Sequence, residues 1–389
     1  MTHLYQKFET LLQSTPSHFK RYLYDKVAWD SRMIGIIGAR GVGKTTMILQ
    51  HIKEQLDTKK ALYVAADDIY FTDNKLFDLA DDFFRNAGEY LFIDEIHKYP
   101  GWSSELKNMY DSFPSLNVVF TGSSVLDILK GSSDLSRRAL IYTLEGLSFR
   151  EYLKVFHDFD NETYSLSQII NNEVKLNAIQ HPLPLFKDYL KRGYYPFGLE
   201  NEMHLRLGQV INLTLETDIP QYANLNVGTS RKLKRLLSII AESVPFKPNF
   251  SKISEMIGVS RNSLDDYFMY MEKAGLIGQL RNETSGLRGL GKVDKVYLNN
   301  TNILFNLVGE KSNVGNVRET FFFNQMRVNN EVISSKKSDF RIEGYTFEVG
   351  GKHKQHNQAT QADKSFIVKD DIEYGYRNVL PLWAFGMNY

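Results

Sequence analysis

The sequence predicts an α/β protein built on a parallel sheet with helices on both faces, and three observations carry that prediction. The first is alternation. Apolar, strand-like runs at 33–37, 61–66, 90–94, 117–121 and 139–144 are separated by segments of helical spacing, the pattern of a covered parallel sheet. The second is the glycine-rich string Gly38-Ala-Arg-Gly-Val-Gly-Lys-Thr45, directly after the first strand. The third is the carboxylate pair Asp94-Glu95, which closes the run Tyr90-Leu-Phe-Ile. In open α/β sheets the carboxyl ends of strands are where ligands bind.

The string fits G-x-x-x-x-G-K-[ST], a phosphate-binding loop. Gly38, Gly41 and Gly43 let the backbone turn with its N–H groups pointing inward, where a Cβ would obstruct a phosphate. Lys44 is placed to meet the β and γ phosphates, and Thr45 offers its hydroxyl to Mg²⁺. The helix that follows, marked by Met47, Ile48, Leu49 and Ile52, turns its positive end toward the same anion. The whole stretch Gly38, Ala39, Arg40, Gly41, Val42, Gly43, Lys44, Thr45 and Thr46 is therefore the expected nucleotide site.

A phosphate loop needs an acidic partner for the metal. Asp94 is the expected metal residue beside Thr45, and Glu95 the residue that orients and polarises an attacking water. Taken alone, an acidic pair after a strand also reads as a helix cap and solvated turn. His97 completes Asp-Glu-Ile-His, which resembles the Asp-Glu-x-His box of helicases, but no further helicase motif accompanies it. Next comes a helix on Leu106, Met109, Tyr110 and Phe113, then the strand 117–121, which ends in Gly122-Ser-Ser124. A polar residue at that strand end can bond the γ phosphate or the water. Ser123 or Ser124 is the expected sensor, with Thr121 behind them. Since the acidic strand comes two after the loop strand, another must intervene, and 61–66 is the candidate in sequence. Arg137-Arg138 precede the last strand; buried beside a γ phosphate an arginine can neutralise charge developing in transfer, and lent by a neighbouring subunit it would tie hydrolysis to assembly.

Composition excludes several chemistries. With 389 residues the chain is long enough for about two or three domains. Lys+Arg at 47 against Asp+Glu at 46 leaves no overall field to attract a polyanion. Zero cysteines remove disulfides, thiolate zinc sites and cysteine nucleophiles. No stretch approaches 18 uninterrupted apolar residues, and the first ten residues lack the apolar core of a signal peptide, so a cytoplasmic protein with no membrane partner is expected.

Four segments are expected: a phosphate-loop core at 1–150 with an N-terminal helix, a helical connector at 151–229, and two further domains at 230–308 and 309–389. Within 230–308, a helix, a second helix at 252–257, a turn at Gly258, a third helix at 262–274 and two strands read as a winged helix-turn-helix. Residues 230–300 hold 12 Lys+Arg against 7 Asp+Glu, a balance of +5 that favours a polyanion such as DNA. Asp265 and Asp266 near the start of the third helix oppose it. Both DNA binding and protein contact stay open. In 309–389, Asp339, Glu348 and Lys352 resemble the metal centre of PD-(D/E)xK nucleases. Gly350 stands where the lysine belongs, and a shift of two residues moves it about 7 Å along the strand, so an inactive α+β domain is expected.

Gly-Ala-Arg-Gly-Val-Gly-Lys-Thr, Leu-Phe-Ile-Asp-Glu-Ile, Phe-Thr-Gly-Ser-Ser and Leu147-Ser-Phe-Arg-Glu-Tyr152 occur together in an order that resembles prokaryotic AAA+-like ATPases of the archaeal type. The resemblance spans nearly the whole chain, because that family carries a C-terminal region of uncharacterised function. It implies ATP with Mg²⁺, hydrolysis, catalytic roles for Lys44, Glu95 and Ser123, and a match of Arg138 to the family's arginine, with homo-oligomers as one form of partner. On that reading ATP switches C-terminal modules that contact protein or DNA. The alternatives are a nucleotide-gated regulator with little turnover and an ATPase-coupled nuclease.

Overall fold

The structure, a computed structural model, describes residues 2–122, 135–223, 225, 227–243, 245–283, 292–351 and 364–389. Five parallel strands form the first sheet: β1 (Met33–Ile37), β2 (Ala61–Ala65), β3 (Tyr90–Asp94), β4 (Asn117–Gly122) and β5 (Leu140–Thr143). Their order is β2-β3-β4-β1-β5. β1 is buried along its whole length because strands flank it on both sides, which is why it reads as an unbroken apolar run. At the sheet edge, β5 leaves Leu140 and Ile141 exposed. The strand between the loop strand and the acidic strand is β4, not the 61–66 segment expected from sequence. β2 lies outside β3, with Ala65 opposite Asp94.

Helices α1 (Thr2–Ser14), α2 (Lys44–Gln55), α3 (Leu76–Arg85) and α4 (Trp102–Ser112) complete this part. α1 buries Leu4 and Phe8, and the Phe8 ring stacks on Tyr63 of β2 at 6.5 Å. The chain between α1 and β1 is pinned to α2. Gln50 Nε2 donates to the carbonyls of Pro16 and Phe19, each at 2.8 Å, and His51 stacks on Trp29 at 3.9 Å. Burial pulls the His51 pKa down to about 4, so this ring is neutral and packs as an aromatic.

The chain divides into two compact units, Met1–Gly146 and Leu147–Tyr389. Leu147-Ser-Phe-Arg-Glu-Tyr152 opens the second unit as a helix start. The Ser148 hydroxyl accepts from the Glu151 N–H while Glu151 accepts from the Ser148 N–H, a reciprocal cap that satisfies two orphan donors. The expected helical character of 151–229 appears as short helices, among them Phe149–His157, Leu183–Asp188 and Met203–Leu213. Three helices follow, Val227–Glu242, Phe250–Ile257 and Arg261–Lys273. Gly258, at φ 66°, makes the tight turn between the last two, and Ser260 caps the third.

Behind them, β6 (Ile277–Arg281) and β7 (Val293–Leu298) pair antiparallel. The sheet continues through β8 (Ile333–Ser334), β9 (Phe340–Ile342), β10 (Tyr345–Gly350), β11 (Ser365–Lys369) and β12 (Val379–Pro381), in the order β12-β11-β10-β9-β8-β6-β7. The 230–308 and 309–389 segments, separate in the sequence reading, thus share one sheet. β6 and β8 meet at a single register pair, Arg281 with Ile333, so side chains must consolidate the join. Tyr297 is fully buried against Phe323 and Phe340, with ring centroids at 5.3 and 5.8 Å.

Beside that aromatic contact, Lys295 Nζ lies 3.0 Å from Asp339 Oδ1 and 3.3 Å from Glu319 Oε2. The Tyr297 hydroxyl donates to Glu319 at 2.7 Å, and the Val349 N–H donates to the other Asp339 oxygen at 3.0 Å. Burial pulls the Lys295 pKa down, but the carboxylates of Glu319 and Asp339 outweigh it and the net shift is upward. For Glu319 burial raises the pKa and the nearby Asp339 charge adds to it, against the ammonium. Asp339 is engaged by a lysine from β7, Gly350 ends β10, Lys352 lies outside the described residues, and among the described residues no group of three or more His, Asp or Glu side chains is placed to hold a metal.

Lys295→Met is expected to destabilise the second unit by about 3 kcal/mol, because it leaves two half-buried carboxylates without their cation. Urea denaturation followed by circular dichroism measures this. A midpoint unchanged from the parent protein would contradict it.

Candidate functional site

Parallel strands in the order β2-β3-β4-β1-β5 bring three chain segments to one edge of the first sheet. The loop leaves the end of β1, Asp94 ends β3, and Thr121 and Gly122 end β4, where they pair with Ile36 and Ile37. Position 38 tolerates no side chain. Its φ is +154°, and a Cβ there would come within 2.2 Å of the Leu144 carbonyl oxygen. Gly43, at φ 98° and ψ 23°, turns the chain into α2.

Lys44 is 5% exposed, and its ammonium donates to the carbonyls of Gly38 and Ala39 at 3.0 and 2.9 Å. A charge that leaves bulk water needs such partners, and here they hold it against the loop it serves. Arg21, from the segment before β1, braces the loop from behind. Its guanidinium donates to the Val42 carbonyl and, at 2.7 and 2.9 Å, to the carbonyls of Glu145 and Gly146.

Asp94 is 4% exposed, so its carboxylate depends on hydrogen bonds for solvation. Thr45 Oγ1 donates to Oδ2 at 2.6 Å, the Tyr63 hydroxyl donates to the same oxygen at 2.8 Å, and Thr121 Oγ1 donates to Oδ1. Burial, then the Asp94 charge, pushes the Tyr63 hydroxyl pKa far above the ordinary tyrosine value, so the phenol stays a donor. Glu95 adopts a left-handed backbone, φ 52° and ψ 39°, a conformation that costs a non-glycine residue about 1–3 kcal/mol and recurs at functional sites. Its N–H donates to Thr121 Oγ1 at 3.3 Å, and its carboxylate lies 3.4 Å from His97 Nε2. Burial, with Lys98, Arg40 and Lys44 adding to it, pulls the His97 pKa down to about 3, so this ring is neutral.

The structure therefore gathers Lys44, Thr45, Asp94 and Glu95 around the loop, as the motifs imply. Ser123, the expected sensor, lies outside the described residues with Ser124, and Thr121 is the described polar group of β4 that reaches the acidic pair. Arg138 is set apart. It lies two residues before β5, whose Thr143 pairs with Ile37, so it sits at the opposite end of that strand from the loop. There it makes a two-pronged ion pair with Asp111 at the end of α4, both contacts at 3.0 Å. Arg21 and Tyr63 were not singled out from sequence. For Tyr63 a signal existed, since a tyrosine inside a buried strand must find a hydroxyl partner. Arg21 offered none.

An AAA domain model matches residues 30–153, the stretch that holds the loop, the acidic pair and all five strands. Over this stretch the chain is similar to AAA domains. A domain of unknown function matches residues 183–313, within the second unit. An uncharacterized protein of Methanocaldococcus jannaschii is 27% identical to the chain over 265 residues, which cover 63% of this chain and 56% of that protein. The chain thus spans a little over half the length of this relative. Among solved structures, the Walker-type ATPase of Pyrococcus abyssi aligns over 76% of this chain and 99% of its own, with a TM-score of 0.45 and 13% identity. AMPPCP-bound DnaA from Aquifex aeolicus aligns over 69% of this chain and 88% of its own, at 0.28 and 14%. No helix among the described residues is long and apolar enough to cross a membrane.

Proposed function

We propose that the ATPase domain binds ATP with Mg²⁺ and hydrolyses it, and that this turnover acts on contacts made by the second unit. The observation that carries the reading is the convergence of Thr45 and Asp94, 2.6 Å apart, beside Lys44 and Glu95. Hard oxygen donors of this kind suit Mg²⁺, and the glycine cradle suits phosphates. Thr45 and Asp94 would hold the ion, which when bound neutralises charge on the β and γ phosphates. Lys44 binds those phosphates through its ammonium. Glu95 accepts a proton from the attacking water, and His97 beside it, neutral and buried, helps fix the carboxylate.

Arg138, at the opposite end of β5 from the loop, suits a role between copies of the chain better than one at its own phosphates. On the second unit, Asp265 and Asp266 are exposed on the helix Arg261–Lys273 together with Met269, a face better suited to a protein than to a phosphate backbone.

The test is phosphate release from ATP by the purified chain with Mg²⁺ present and with the ion chelated. Turnover that requires the ion supports the reading. Tight ATP binding with no phosphate released over many hours would replace it by a nucleotide-gated regulator.

A further inference from the structure

Asp94 receives three hydroxyl donors among the described residues, and they come from three different places. Thr45 closes the loop motif at the start of α2. Thr121 sits at the end of β4 and also accepts the Glu95 N–H at 3.3 Å, so it is tied to the water-orienting residue. Tyr63 is different. It projects from β2, on the far side of β3 from β4, and nothing in the P-loop motif anticipates it.

Its geometry is that of a fixed brace. The side chain is 5% exposed and the ring stacks on Phe8 of α1 at 6.5 Å with an interplanar angle of 23°. A rigid ring with two torsions, packed between a helix and a strand, loses little further entropy by holding its hydroxyl in one place. That hydroxyl meets Asp94 Oδ2 at 2.8 Å, the same oxygen that Thr45 meets at 2.6 Å. One carboxylate oxygen is thus shared between a donor from the first turn of α2 and a donor from β2.

We propose that Tyr63 is a positioning residue for the metal site: it fixes the rotamer of Asp94 so that the carboxylate already faces Thr45 before a divalent cation arrives. The inference rests on the reading of Asp94 as a metal-binding residue. Hydrogen-bonded partners behind a ligating carboxylate commonly set metal affinity, and their removal costs roughly 10- to 100-fold. A merely structural role for Tyr63 makes a different prediction. Tyr63→Phe keeps the ring and its stacking on Phe8, so if the residue served packing alone the Mn²⁺ affinity would stay unchanged.

The experiment measures binding, not turnover. Mn²⁺ is titrated into the ATP-bound full-length chain and bound ion is followed by electron paramagnetic resonance, for the parent protein, Tyr63→Phe and Asp94→Asn. ATP affinity in excess chelator and the melting temperature are recorded alongside. The expected result is a roughly tenfold weaker Mn²⁺ affinity for Tyr63→Phe, with metal-free ATP affinity and melting temperature unchanged. Unchanged or tighter Mn²⁺ binding overturns the proposal, as does a parallel loss of metal-free ATP binding or of fold. The Asp94→Asn arm separates the two layers. If it leaves Mn²⁺ binding intact, the reading of Asp94 fails; if it abolishes binding while Tyr63→Phe changes nothing, only the role of Tyr63 fails.

Discussion

Lys44→Ala is expected to weaken ATP binding at least about 100-fold while leaving the fold in place. The ammonium is buried in the loop and donates to the Gly38 and Ala39 carbonyls, so it stands preorganised where phosphate oxygens would arrive. Charge-assisted hydrogen bonds to phosphate contribute about 1.5–3 kcal/mol each, and losing two of them corresponds to a factor of 100 or more. The fold survives because α2 is anchored by Met47, Ile48 and Ile52, all fully buried, and not by this side chain. Calorimetric titration with ATP measures the loss. An affinity within threefold of the parent protein would show that the loop does not hold phosphate in this way.

Glu95→Gln should leave ATP bound and stop its cleavage, with turnover lowered on the order of 1,000-fold. The substitution keeps volume and hydrogen-bonding reach but removes the proton acceptor, and general-base contributions of roughly 100- to 10,000-fold are typical. The strained backbone at this residue and the neutral His97 beside it indicate a side chain held for a task, not one that merely caps a turn. Single-turnover measurements decide the matter. A rate close to that of the parent protein would mean that Glu95 is the solvated cap its position also allows.

The parts of the site legible in sequence are those encoded within a few residues. A glycine string after a strand, and two carboxylates at the end of another, announce themselves because each is a local backbone requirement. What escaped is what depends on strand order. The apolar runs 61–66 and 117–121 look alike, and only the folded sheet shows that β4 lies between β1 and β3. That order brings Thr121 to Asp94 and leaves Tyr63 to approach from the other side. Arg21 was invisible for the same reason, since the carbonyls it holds lie 21, 124 and 125 residues away. The place of Arg138 also depends on the sheet, since parallel strands put the start of β5 at the opposite end from the loop.

The single sheet that runs from β12 to β7 decides where the chain can be cut. A fragment ending at Val308 would keep β6 and β7 but lose β8 from the edge of β6, exposing unpaired N–H and C=O groups that invite strand-to-strand aggregation. It would also uncover Tyr297 by removing Phe323 and Phe340, and strand Lys295 without Glu319 and Asp339. The three helices and their hairpin are therefore expected to lose stability when cut away from 309–389.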